Sequence, residues 1–112
     1  MTLTKDKRGQ FALKDQAIAR TAKALSHPAR IEILRLLATN GKCICGEVVE
    51  GLPYAQSTVS QHIKALHDAD LVIGSIEGAS SCYCVNWVEL EKFQKEFTSL
   101  FLKFKDQFAK CC

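Results

Sequence analysis

Six cysteines stand in three close pairs, Cys43 with Cys45, Cys82 with Cys84, and Cys111 with Cys112. Thiolates gathered this way bind soft ions such as zinc, cadmium or copper(I), whereas magnesium and calcium prefer oxygen. Pairing also opens a route to disulfides and other oxidised forms. A lone cytosolic cysteine more often packs as a small hydrophobe, but two Cys-x-Cys elements in one short chain argue against that fate. Cys43, Cys45, Cys82 and Cys84 are therefore the candidate metal ligands. Cys111 and Cys112 rank second, because a tail can supply ligands across a dimer or simply present exposed thiols.

Other chemistry is not in sight. The sequence contains no Cys-x-x-Cys in a βαβ context, no Ser/His/Asp grouping, no phosphate-binding glycine loop and no carboxylate pair, so no catalytic residues and no enzymatic activity are expected. The first residues, MTLTKDKRGQ, lack the apolar stretch of a signal peptide. No segment approaches the ~18 unbroken apolar residues of a membrane span. The expected setting is cytoplasmic, with no membrane partner, and in reducing cytosol metal or redox chemistry is favoured over standing disulfides. The net charge of +3 is compatible with a polyanionic partner without requiring one.

The elements that must position these thiols follow from periodicity. At 112 residues with 47% hydrophobic content the chain fits a single domain, 1–112, with one core. Phe11, Ile18, Ala22 and Leu25 predict a first helix from about Gln10 to Leu25. Ser26 can cap the next helix, Pro28 suits its first turn, and Ile33, Leu34 and Leu37 line it up to Asn40-Gly41. An extended piece, 42–45, leads into a brief helix through Val48 and Val49 that ends at Gly51-Leu52-Pro53. From 56 to 68 another helix carries Val59, Ile63 and Leu66 on one face and polar residues on the others. The β-prone runs 71–76 and 81–85 flank Glu77-Gly78-Ala79-Ser80 and predict a hairpin over 71–85. Asn86 with Glu89 resembles a capping box opening a helix over 87–110. Its apolar residues, from Trp87 through Leu90, Phe93, Phe97, Leu100, Phe101 and Phe104 to Phe108, exceed what so small a core can cover, so a second copy is expected to pack there.

Short helix, turn, amphipathic helix and hairpin, in that order, predict a mainly α winged helix-turn-helix. The helix at 56–68 would enter the major groove, with Gln56, Ser57, Thr58, Ser60, Gln61, His62 and Lys64 as the candidate contacts to double-stranded DNA. Taken alone, the segment reads equally well as the solvated face of an all-helical domain. Two motifs tip the balance. His27-Pro28-Ala29-Arg30 with Ile33-Leu34, and Gln56-Ser57-Thr58-Val59-Ser60-Gln61-His62-Ile63 through Leu66, resemble the ArsR/SmtB family of metal-responsive winged helix-turn-helix repressors over about residues 15 to 90. The resemblance implies a homodimer formed through the first and last helices. His62 matches a histidine common in the family's recognition helix, and with Ile63 beside it reads as a packing or phosphate-contact residue. His27 reads as helix-start structure. Ala55 departs from the family's usual capping hydroxyl, and the loop 77–80 lacks the usual basic residues.

The same resemblance places Cys43-Ile44-Cys45 on the Cys-x-Cys element that supplies thiolates in arsenite-, antimonite- or cadmium-type sensors. The family's further cysteine position, three residues on, is Val48 here. Winged-helix domains often pair the segment before that helix with the second wing strand, which sets 42–45 beside 81–85. If Ile44, Tyr83 and Val85 point inward, alternation sends Cys43, Cys45, Cys82 and Cys84 outward on one face. Three sulfurs suit arsenic(III) or antimony(III), and four suit Zn or Cd. The last helix lacks histidines and paired carboxylates, so the zinc site other members build there is not expected, which favours arsenite or antimonite. The implied function is transcriptional repression relieved by such an ion, with no cofactor required for DNA binding. The alternatives are a zinc- or cadmium-responsive repressor and a redox-responsive one.

Overall fold

The computed structural model describes residues 11–39, 43–45, 53–74 and 82–111. In chain order they form α1 (Leu13–Ala24), α2 (Pro28–Thr39), β1 (Cys43–Cys45), α3 (Gln56–Asp68), β2 (Val72–Gly74), β3 (Cys82–Val85) and α4 (Trp87–Cys111). This is a mainly helical winged helix-turn-helix with a small sheet. The brief helix expected through Val48 and Val49, and the loop 77–80, lie outside the described residues.

Helical spacing selects the core. α1 buries Ile18, Thr21 and Ala24, α2 buries Ala29, Ile33 and Leu37, and α3 buries Val59, Ile63 and Leu66. Each set recurs at three or four residues, the spacing of one helix face. Ala24, Ile33, Leu37, Val59, Ile63 and Leu66 join Ala69, Leu71, Val72 and Tyr83 in one cluster. The inward face of α1 differs from the expected one. The helix begins at Leu13, which leaves Phe11 outside it and exposed, and Thr21 rather than Ala22 turns to the interior.

The caps also differ from expectation. Ser26 does not cap α2: its Oγ donates to the Lys23 carbonyl at 2.7 Å and closes the last turn of α1. His27 takes the capping role, with Nδ1 accepting the Ala29 amide at 3.0 Å while Pro28 fills the first helical position. At the other end of the motif, α3 stops in a Schellman turn. Asp70 adopts φ 65°, its amide donates to the His67 carbonyl at 2.9 Å, and the Leu71 amide donates to the Leu66 carbonyl at 3.0 Å. Leu66 and Leu71 are both fully buried, which supplies the apolar contact this motif favours.

Asn86, expected to open a capping box with Glu89, ties the start of α4 to that turn. Its Nδ2 donates to the Asp70 carbonyl at 2.8 Å and its backbone amide to the Leu71 carbonyl at 2.9 Å. The sheet runs β1-β3-β2, antiparallel throughout. β1 pairs Cys43 with Cys84, Ile44 with Tyr83 and Cys45 with Cys82. β2 pairs Val72 with Val85, Ile73 with Cys84 and Gly74 with Tyr83. Buried Val72 and Tyr83 mark the inner face, and Ile73, 48% exposed, marks the outer.

α4 runs 25 residues and buries none of them. Phe93, Phe97 and Phe101 stack along it with ring centroids 4.9 and 4.8 Å apart. The radius of gyration is 16.9 Å, against about 13 Å for a compact domain of this length. Such a helix extends past its own core.

Gly74 carries the positive φ of 128° that lets β2 approach β3, and a Cβ there would fall on the carbonyl oxygen of Cys82. That obstacle is backbone and cannot rotate away. Gly74→Ala should therefore cost about 2 kcal/mol or more of unfolding free energy. Urea denaturation checks this, and a variant as stable as the parent would refute the assigned β2–β3 geometry.

Candidate nucleic-acid interface and thiolate face

Every residue proposed to meet DNA lies on α3. Gln56, Ser57, Ser60, Gln61 and Lys64 are exposed, and Thr58 and His62 are half-buried. Val59, Ile63 and Leu66 hold the opposite face in the core. Ala55 is the N-cap and makes no side-chain cap, so it leaves the first-turn amides of α3 to an outside acceptor. Phosphate is one such acceptor. Lys64 Nζ pairs with Asp68 Oδ2 at 3.2 Å, both side chains being more than 60% exposed. An ion pair so open to water is weak, so a phosphate can take the lysine from it.

Beneath this face lies a contact that periodicity does not reveal. Arg30 reaches from α2 to α3, its Nε donating to His62 Nδ1 at 3.1 Å and its Nη1 to the Ala24 carbonyl at 3.3 Å. The His27 and His62 rings lie 4.5 Å apart, tilted by 49°. One arginine thereby joins the end of α1, the start of α2 and the middle of α3. Burial, then the nearby His27 and Arg30, lower the His62 pKa below its ordinary value. A neutral imidazole is also what the Arg30 hydrogen bond requires, because Nδ1 must accept. The signal lay in the His27-Pro28-Ala29-Arg30 motif, whose arginine has no apolar role and needs a polar partner.

The thiols meet on the sheet. Cys43 is exposed, Cys82 and Cys84 are half-buried, and Tyr83 between them is buried, as strand alternation requires. Cys43 and Cys84 face each other directly, with Cα atoms 4.2 Å apart, and form a disulfide. Cys82 is also disulfide-bonded and stands opposite Cys45 in the register. The side chains of Ile44 and Cys45 lie outside the described part. No cluster of three or more His, Cys, Asp and Glu side chains is gathered among the described residues.

Cys111 is exposed and unpaired at the far end of α4. The helix places it about 36 Å along its axis from Trp87, so it does not join the sheet thiols of its own chain. Cys112 lies outside the described residues. No described helix is long and apolar enough to cross a membrane.

The lowered pKa of His62 has a consequence for stability. Because the folded state disfavours the proton, the unfolded chain takes it up first as pH falls below about 6.5. The neutral imidazole's contribution is complete above that pH and is lost on moving down toward the folded-state value. Thermal unfolding should be steady from pH 8 to 7 and should shift to lower temperature from pH 6.5 to 5.5. His62→Asn should flatten that slope, and an equally steep slope in the variant would exclude His62 as its source.

A family model described as a helix-turn-helix domain matches residues 25–74. Over 64 residues the chain is 39% identical to the arsenical resistance operon repressor of Staphylococcus xylosus, a stretch covering 57% of this chain and 61% of that relative. It is 33% identical over 91 residues to the arsenical resistance operon repressor of Bacillus subtilis (strain 168), covering 80% of this chain and 85% of the relative. The solved structure of an ArsR-like transcriptional regulator from Rhodococcus sp. RHA1 superposes with a TM-score of 0.74 over 89% of this chain and 93% of that one, at 22% identity, which bears on the fold alone. With its wing sheet, its α2–α3 pair and identity of one third across most of a repressor's length, the chain belongs to the ArsR/SmtB family of helix-turn-helix transcriptional regulators, which are not enzymes.

Proposed function

We propose that the protein is a homodimeric repressor that holds a palindromic operator through one α3 per half-site and releases it when a thiophilic ion, arsenite or antimonite first, binds the sheet thiols. The observation that carries this is the register: Cys43 stands opposite Cys84 and Cys45 opposite Cys82. Once reduced, these thiols form a soft, all-sulfur donor set on two adjacent strands, with Cys43 and Cys84 close enough to bond each other. Three such sulfurs would suit trivalent arsenic, whereas all four would suit zinc or cadmium. The family relatives named for arsenical resistance support the first choice.

The second copy would cover α4. Phe101, Phe104 and Phe108 are 56%, 54% and 67% exposed. Beside them a cleft of about 330 Å³ is lined by Asp15, Ile18, Ala19, Leu100 and Phe104. Each large apolar side chain fully covered contributes about 1.5–3 kcal/mol, so covering this row would favour a dimer.

A physical path joins the two sites. Cys84 lies two residues before Asn86, whose amide holds the Asp70 carbonyl at the end of α3. An ion that redraws β3 pulls on that clamp and on the axis of α3 together. A coupling of about 3 kcal/mol would weaken operator binding roughly 100-fold.

The test uses reduced protein and an operator selected from random duplexes, with affinity read by fluorescence anisotropy. Arsenite should release the parent by about 100-fold, and neither Cys43→Ser nor Cys82→Ser should respond. Release of both variants as complete as that of the parent would overturn the proposal. Gln61→Ala, on the reading face, should cost about 1–3 kcal/mol in operator binding if it contacts a base edge, with arsenite response retained. Unaltered affinity would remove it from the interface.

A further inference from the structure

Cys43 and Cys84 are close enough for direct bonding and are bonded, and Cys43 lies open to solvent. With that bond in place, β1 and β3 are in full register and α3 is seated by Val59, Ile63 and Leu66. The disulfide joins residues 41 apart in sequence, on strands that flank the reading helix in the chain. It therefore consumes two of the sulfurs a soft ion would need without dislodging the element that would hold DNA.

We infer that the Cys43–Cys84 pair is an oxidative modification site for hydroperoxides, and that its disulfide yields a repressor that stays on its operator and no longer answers to thiophilic ions. The second half of this rests on the function proposed above, whereas the first half does not. The Cys43 thiolate attacks a peroxide oxygen, the O–O bond breaks, and an alcohol or water departs, leaving a sulfenic acid at Cys43. The Cys84 thiolate then attacks that sulfur, the S–O bond breaks, and hydroxide leaves to be protonated as water. Overall, two thiols and one hydroperoxide give one disulfide, one water and one alcohol or second water. Exposure decides the order, because Cys43 is open to the oxidant and Cys84 is the more shielded of the two. Direct opposition across an antiparallel pair makes the second step intramolecular and fast relative to further oxidation.

Ion and oxidant thus compete for one set of sulfur atoms. A cell challenged by both would lose the ion response until a thiol reductant restored it.

The experiment treats reduced full-length protein with hydrogen peroxide, removes the excess with catalase, and splits the sample. Peptide mass mapping should find Cys43 linked to Cys84, and arsenite added before the peroxide should suppress that link. The oxidised protein should bind the selected operator like the reduced form, should lose the roughly 100-fold arsenite effect, and should regain it with dithiothreitol. In Cys84→Ser, dimedone should capture a sulfenic acid at Cys43. Over-oxidation of Cys43 without a link to Cys84, or operator loss on oxidation, would overturn the inference. So would an oxidised protein still released by arsenite. If the reduced parent itself ignores arsenite, the proposed function fails by that arm, while the mapped link and the retained operator still decide the oxidation site.

Discussion

The pairing of β1 with β3 is the constraint on which the rest hangs. Side chains alternate along a strand, so the register Cys43 with Cys84, Ile44 with Tyr83 and Cys45 with Cys82 sorts the inner positions from the outer ones in one step. A slip by a single residue would set each cysteine opposite an inward position. Buried Tyr83 is the guard against that slip, because its ring belongs to the same cluster as Leu71, Val72 and Ile33. Gly74 serves the same pairing from the other side, since only a residue without Cβ fits against the Cys82 carbonyl. The thiols thus owe their placement to apolar packing on the opposite face of the sheet.

From this sheet the connections run to both working helices. β3 ends one residue before Asn86, and Asn86 holds the left-handed turn that terminates α3 while it begins α4. The helix-turn-helix has its own internal tie, Arg30 bridging the end of α1 to His62 on α3. Half-buried His62, accepting from Arg30, ties α3 to α2 at a fixed point on the helix. α3 and β3 are therefore joined through short, directional hydrogen bonds at Asn86.

Much of this was legible in the residues. Val59, Ile63 and Leu66 mark α3 over 56–68 because a strong apolar stripe follows the break at Gly51-Leu52-Pro53. Exposed Cys43, and half-buried Cys82 and Cys84 on either side of buried Tyr83, fit the alternation of side chains along a strand. Less legible were the polar ties. Ser26 is a good helix cap by type, yet the chain uses His27, because Pro28 sets the first turn and Nδ1 then falls on the Ala29 amide. Asn86 with Glu89 three residues on suggests a local box, but its side-chain amide serves a carbonyl sixteen residues away. Side-chain hydrogen bonds over such distances depend on tertiary placement and leave no periodic trace. The Cys43–Cys84 bond belongs to the same class, since spacing identifies paired cysteines but not which sulfur faces which.

On the function proposed above, the sheet thiols of β1 and β3 act as one donor set. X-ray absorption at the arsenic edge of reduced, arsenite-loaded protein tests it most directly, because the first shell counts the sulfurs bound to the ion. An all-sulfur shell is expected in the parent, with oxygen entering when Cys43 on one strand and Cys84 on the other are both replaced by serine. An oxygen-rich shell in the parent, or an all-sulfur shell that survives the double replacement, would contradict it.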